Sequence, residues 1–566
     1  MNKTALTKTY TKDIQNSCLN SKKIVLSLAT ISFLASCANA KLNSEIKTYE
    51  ETNRHAKART ANVYSSRSGT STSINTSKTS THTVNGSNNT LVIESRGTIT
   101  IPNGGKQAVN FTQGSSTTTF LNQGTLIGGS NAASVQLGAN KNNGVTIETF
   151  DNQGIIGNGS SKFGITVWGN SNKSSITNFT NSGTIHSKTG ESIYFSNVNI
   201  SSFANSGAIK SNNGKGVNIV SGVSIQTFNN NGFISGSEGV SLSSGTINSF
   251  NNNGTINGTT HGVSFDPNSK ATTFTNSGAI SGNFSGIFVG GNIQTLVNSG
   301  TIISNGSATN HAGIKLERGG SIENIINTGT IKSNYSGIMV THGKFGTLTI
   351  RDGGIVHGKY TGIGVGQWQT LGDLYIDGKN ALNNSTVSGV YGKRYGISLE
   401  PNSSTSKIEL KNGGVIRGNI SGIRLGGDAS LSGEMILSGK GSRVEGKSGA
   451  GISNQSGKIK GSIKIEGGAT ITATSGQAIS NSGSGSITGG ITVSGENTKL
   501  KGNIINADSA SIGSDIKIEN GAKVEGGLVN QGSGSISGNV QVSGGSTINS
   551  ITNTGNGAIS GSITVD

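Results

Sequence analysis

The chain has 566 residues, of which 89 are Gly and only 3 are Pro; 13% are charged, 31% are hydrophobic and the formal net charge is +17. So few charges argue against an ordinary enzyme surface. The Gly content would suit a disordered chain, but the apolar residues fall in short alternating runs that read as strands. Basic charge favours anionic partners such as acidic glycans or lipopolysaccharide. It is spread along the chain without a basic helix or an aromatic-interleaved patch, so nucleic acid is not an expected partner.

Residues 1–36 read as a lipoprotein signal peptide. Lys22 and Lys23 precede an apolar run over 24–35, too short to span a bilayer. The run ends in "LASC", which resembles a bacterial lipobox, so Cys37 is the expected lipidation site. "ANA" at 38–40 is the alternative, an A-x-A site for ordinary signal cleavage. The leader to Ser36 carries five Lys and one Asp, which leaves +13 on the chain that follows. Residues 37–90 are polar, Ser/Thr-rich and without apolar periodicity, and read as a flexible tether.

A repeat governs the chain from residue 91 to 345. Its phrase is seen in "TFTNSGAISGN" at 273–283, with Gly278 as pivot. Four places before each pivot stand Phe120, Phe150, Phe179, Phe203, Phe228, Phe250 and Phe274, then Leu296 and Ile325. Two places before it stand Asn122, Asn152, Asn181, Asn205, Asn230, Asn252, Asn276, Asn298 and Asn327. Two places after it comes an Ile or Leu, and a second phrase follows, such as "GIFV" at 286 or "GIRL" at 422. Over 346–566 the wording changes to phrases such as "GSITGGITVSG", with Gly461, Gly489, Gly513, Gly538 and Gly561 in series and smaller core residues.

A period of 20–30 residues built from short strands means a solenoid. No single repeat buries its own apolar face, and stacking makes one continuous core. The expected fold is all-β: a single long parallel, right-handed β-helix of about 20 coils at about 4.8 Å each, a rod on the order of 95 Å. The Phe and Ile columns become internal stacks, the Asn side chains bond to one another in a ladder, and the pivot Gly supplies a corner with φ > 0. Two alternatives are a ligand-binding array of Asn and an exposed sugar-stacking platform of Phe. The six residues from Phe274 to Ile280, with a turn between, suit two inward strands instead.

Chemistry-bearing constellations are sparse. Polysaccharide lyases on this fold need clustered carboxylates for calcium beside a basic group. The nearest pair here, Asp373 and Asp377, would share one strand face or flank a turn. No G-x-S-x-G elbow occurs. The seven His read as loop residues, and His186 and His357 have no Cys or second His at ligand spacing. "DPNS" at 266 and "EPNS" at 400 read as matching turns. The expectation is a non-enzyme without metal or cofactor.

The phrases "NSGTI", "NNNGTI" and "NTGTIKSN" on a basic exported chain resemble the passenger domain of a bacterial autotransporter. With the leader "NSKKIVLSLATISFLASC" the resemblance is to autotransporter lipoproteins of the Campylobacter adhesion protein A type. It implies export by a Gram-negative bacterium, display at the outer membrane through a lipid and a barrel translocator, and adhesion to a host-cell glycan or matrix protein. The alternatives are a β-helix polysaccharide lyase or glycosidase and an inert truncated scaffold. Such proteins end in a membrane barrel, whereas this sequence stops at "GSITVD" within a repeat. A truncated product, or a translocator on a separate chain, is therefore expected.

Overall fold

The computed structural model describes residues 69–566 except 103, 139–143, 170–171 and 379–386. The leader, Cys37 and most of the expected tether lie outside the described residues. Residues 69–566 form one unit. They fold as an all-β parallel solenoid of about 18 turns, close to the expected 20 coils.

One turn shows the plan. A first face, Lys270–Asn276, ends at the pivot Gly278; a second face runs over Ala279–Gly282; a third runs over Ser285–Val289. The chain then re-enters the first face at Asn292–Asn298, directly above Lys270–Asn276 in parallel register. Stacked first faces make one sheet of 26 strands, and the second and third faces share another of 32. Within each strand the residues alternate inward and outward. Phe274, Ile280, Ile287 and Val289 are fully buried in this turn.

Register follows the repeat. Phe120, Phe150, Phe179, Phe203, Phe228, Phe250 and Phe274 pair rung by rung and then give way to Leu296, Ile325, Leu348, Leu374 and Ile408. The same column continues as Met435, Ile463, Ile491, Ile516 and Val540. The change of wording near residue 345 therefore alters the filling of the core and leaves the stack unbroken. Farther along, the first face splits into two short strands per turn, as in Ser486–Ile487 and Ile491–Ser494, with Gly489 between them.

Three sequence expectations need correction. The folded body starts well before residue 90, because Ser71–Ile74 pairs with Thr90–Ile93 and His82–Val84 with Val109–Phe111. Only Ile74 and Val84 are buried core residues in that first turn, so its alternation is hidden among Ser and Thr. The pivot glycines do not adopt positive φ. Glycine is required there by close approach: a Cβ on Gly278 would lie 2.0 Å from the carbonyl oxygen of Gly254 below, and one on Gly254 2.1 Å from that of Gly232. Left-handed residues occur instead at other turns, among them Asn268 and Asn402 of the two Pro-containing returns from third to first face, and Asp352 and Asn412 between first and second faces farther along. Lastly, His186 and His357 lie on the strands Thr184–Ser187 and Ile355–Gly358, not in loops, while Asp373 and Asp377 lie within the strand Thr370–Asp377, the strand-face reading rather than the turn one.

Candidate functional site

The nine Asn of the repeat point into the rod. All are buried to 1% exposure or less. Each Nδ2 donates to the Oδ1 of the next rung, from Asn122 to Asn152 at 2.7 Å through to Asn298 to Asn327 at 2.7 Å. The second amide proton goes to the turn, as from Asn252 to the Gly254 carbonyl at 3.3 Å. The backbone carbonyl of each Asn from Asn122 to Asn298 in turn accepts from the two turn amides of the next rung, Ser277 N at 2.9 Å and Gly278 N at 3.1 Å in the case of Asn252. Buried amides are thereby paired in a place where an unpaired one would be costly.

The seven Phe form an interior stack. From Phe150 to Phe274 successive ring centroids lie 4.4–4.9 Å apart with interplanar angles of 8–20°. Phe195 and Phe265 of the third face meet the stack edge-on. Both the Asn and the Phe columns are closed to any ligand.

A second ladder lies beyond the first. Asn454, Asn481, Asn506, Asn530 and Asn553 stack on the third face, with Nδ2 to Oδ1 distances of 2.7–2.8 Å. They continue a column that holds Leu399 and Leu425 in the turns before. Its signal in the sequence is an apolar residue two places before each Asn, as in "ISN", "IIN" and "LVN", at the spacing of the repeat.

Chemistry-bearing side chains that face outward gather at the corner between the second and third faces. There Phe284, His311, Tyr335, Tyr360 and Arg394 occupy one position in five successive turns, carried by backbone bonds such as Tyr360 N to Tyr335 O and Arg394 N to Tyr360 O, both 2.8 Å. Phe284 and His311 lie 4.6 Å apart, and His261 packs 4.9 Å from Phe288. Burial among these rings pushes His261 down to about 4. Tyr335 and Tyr360 stack face to face at 4.8 Å and 9°. The Arg394 guanidinium covers the far side of Tyr360 at 4.8 Å and reaches Tyr395 at 5.3 Å, while Arg424 lies 5.4 Å from Tyr395. Partial burial raises the Tyr335 phenol above its usual value, so it stays a donor.

Charge at this corner is mostly basic, with Glu400, paired to Arg424 at 3.3 Å, the carboxylate that acts on Tyr335. Lys332, Lys359, Lys393 and Arg394 are exposed, and none of the four takes part in an ion pair among the described residues. Lys359 and Lys393 precede Tyr360 and Arg394, so they stand in adjacent turns too. Some outward cations elsewhere are matched by carboxylates: Lys215 with Glu238, Arg417 and Arg443 with Glu445, Lys464 with Glu434. The Asp373–Asp377 pair is likewise engaged, Asp373 by the Tyr375 hydroxyl at 3.1 Å and Asp377 by Lys411 at 3.7 Å. Among the described residues no three His, Cys, Asp or Glu side chains come together as a metal site.

Comparison with family models, with curated proteins and with solved structures gives no match for this chain.

Proposed function

We propose that the chain is a surface-displayed, autotransporter-like passenger that acts as a non-enzymatic adhesin toward host cells. The observation that carries this reading is the continuity of the stack from Ser71 to Val565. The interior is consumed by packing and ladder bonds, and what the rod offers to its surroundings is a set of outward columns held in fixed register. A rod of about 18 turns at about 4.8 Å per turn suits presentation of such columns at a distance from a membrane. Lipid on Cys37 and loss of residues 1–36 would supply the anchor, and a barrel translocator the route out.

Purified full-length chain should compete with whole bacteria for host-cell binding, in EDTA as well as in calcium, and should release no sugar or peptide. Calcium-dependent cleavage of a host glycan would replace this reading with the lyase one, and failure to bind cells would leave a scaffold. The anchor has its own test: palmitate labelling should be lost in Cys37→Ala, and equal labelling of both proteins would refute it.

A further inference from the structure

The unpaired cations and the tyrosines of the corner sit together in adjacent turns. Their geometry narrows what they bind. Tyr335 and Tyr360 spend one face each on the other, and Arg394 covers the remaining face of Tyr360. No broad face of Tyr360 is left on which a nucleobase could stack, as recognition of single-stranded nucleic acid requires. What the corner presents is ring edges, phenolic hydroxyls and the ammonium and guanidinium groups of Lys359, Lys393 and Arg394. The hydroxyls and the three cations are hydrogen-bond donors, and the Tyr360 hydroxyl also accepts from Arg394 Nη1. That is the complement of a ligand rich in carboxylate or sulfate and in hydroxyl acceptors.

The ligand is also a polymer by the same geometry. Equivalent donors recur once per turn, about 4.8 Å apart along the rod, close to the length of one sugar unit. Lys359 and Lys393 lie one turn apart, as do Tyr335 and Tyr360 or Tyr360 and Arg394. A chain of sugars laid along the axis meets a new donor at each step.

We propose that the corner formed by Tyr335, Lys359, Tyr360, Lys393 and Arg394 is a binding site for an anionic polysaccharide running parallel to the rod. This rests on the adhesin reading for its setting, and it names the class of partner. The stacked tyrosines hold Arg394, whose Nη1 donates to the Tyr360 hydroxyl, and the two lysines flank them on the side of the second face.

The test uses the full chain and two probes, heparin for sulfate and polygalacturonate for carboxylate. One variant replaces Lys359, Lys393 and Arg394 by Ala. A control variant replaces Lys188, Lys501 and Lys523, which are exposed and distant in the stack, and so removes the same charge elsewhere. All six positions are exposed, and equal thermal unfolding curves check that folding is unchanged. The corner variant should bind at least one probe tenfold or more weakly than the parent, and the control less than threefold. Equal loss in both variants would reduce the effect to net charge and overturn the proposal, as would absence of binding to either probe. Tighter binding of a single-stranded oligonucleotide than of either polysaccharide, lost in the corner variant, would overturn it in favour of nucleic acid. Cell binding is read in parallel. If the corner variant loses the polysaccharide while neither protein binds cells, the site stands and the adhesin reading falls. If polysaccharide binding is unchanged in the corner variant while cells are still bound, the site falls and adhesion stands.

Discussion

The stretch up to Asn327 and the stretch from Asn454 onward have the same three-faced cross-section and fill it differently. In the first, aromatic rings stack on the first face and the Asn ladder closes the end of that face. In the second, Ile and Val replace the rings and the ladder moves to the third face. Between them, Ile350, Ile376 and Leu410 occupy the first ladder's column and Leu399 and Leu425 the second's, so these turns carry no ladder at all. The difference shows that the backbone stack is the constant. Any inward position accepts either a hydrocarbon or a run of amides, provided that the amides come in adjacent rungs. The ladder-free turns overlap the corner that bears Tyr360 and Arg394, so the variable surface and the simplest core coincide.

The largest effect expected from breaking this contrast is in the rings. Phe250→Ala removes a side chain stacked on both sides and should cost about 3–5 kcal/mol locally, against about 2–4 for Ile516→Ala in the same column of the other region. Because a solenoid couples nearest neighbours, limited proteolysis should show new cleavage within a turn or two of each site. Cleavage spread evenly over the rod, or none near residue 250, would contradict it.

The ladders sharpen the comparison next. Asn230→Leu leaves the Asn252 Oδ1 without its donor and the Asn205 Nδ2 without its rung acceptor, at about 1–3 kcal/mol. Asn122→Leu should be nearly neutral, since the Asn122 Oδ1 is already unpaired and the change only passes that condition to Asn152. Asn506→Leu and Asn454→Leu should repeat the contrast in the second ladder. Chemical denaturation of the four variants measures it, and equal losses at first and middle rungs would disprove the accounting.

The smallest effect is on acid. His261 has its pKa held at about 4, below its usual 6.5, by burial against Phe284 and Phe288, with Glu238, Asp266, Lys315 and Arg318 around it. A depressed folded-state pKa contributes stability above 6.5 that is lost as pH falls toward 4. The turns near His261 should therefore lose about 1–2 kcal/mol at pH 5. No His follows His357 in the sequence, so the far region should keep its stability over the same interval. Hydrogen exchange at pH 7 and pH 5, corrected for intrinsic rates, compares the two. His261→Phe should remove the difference.

How much of this could be read from the sequence depends on what repeats. The parallel solenoid was legible because Phe, Asn, Gly and Ile recur at fixed offsets, and each column of like residues implies stacking. The first turn was not, since Ile74 and Val84 are too few among Ser and Thr to show a period. The reason for the pivot glycines was not either. A chain carries no mark that tells positive φ from a carbonyl 2.0 Å away in another turn. The second ladder had a signal, an apolar residue two places before Asn, but it lacked the Phe that made the first one visible. The corner left the weakest trace, because "GNFSG", "TNHAG", "SNYSG" and "GKYTG" place different residues in one column only after folding aligns them.

The polarity of the ladders has a consequence for how such a chain lengthens. Every Nδ2 points toward the higher-numbered rung, and the last donors find backbone carbonyls: Asn327 at Gly329 and Ile355, Asn553 at Gly557. The unmet acceptors fall on the first members, Asn122 and Asn454. The penalty for starting a ladder is thus fixed at one buried carbonyl, whether the ladder has five rungs or nine, while each added rung closes one more bond. This is the arithmetic of nucleation and growth seen along a helix backbone, transferred to side chains a full turn apart. It disfavours a solitary Asn in an inward column and favours copying a whole repeat beside an existing one. Tandem duplication of coils therefore adds length without adding a new defect.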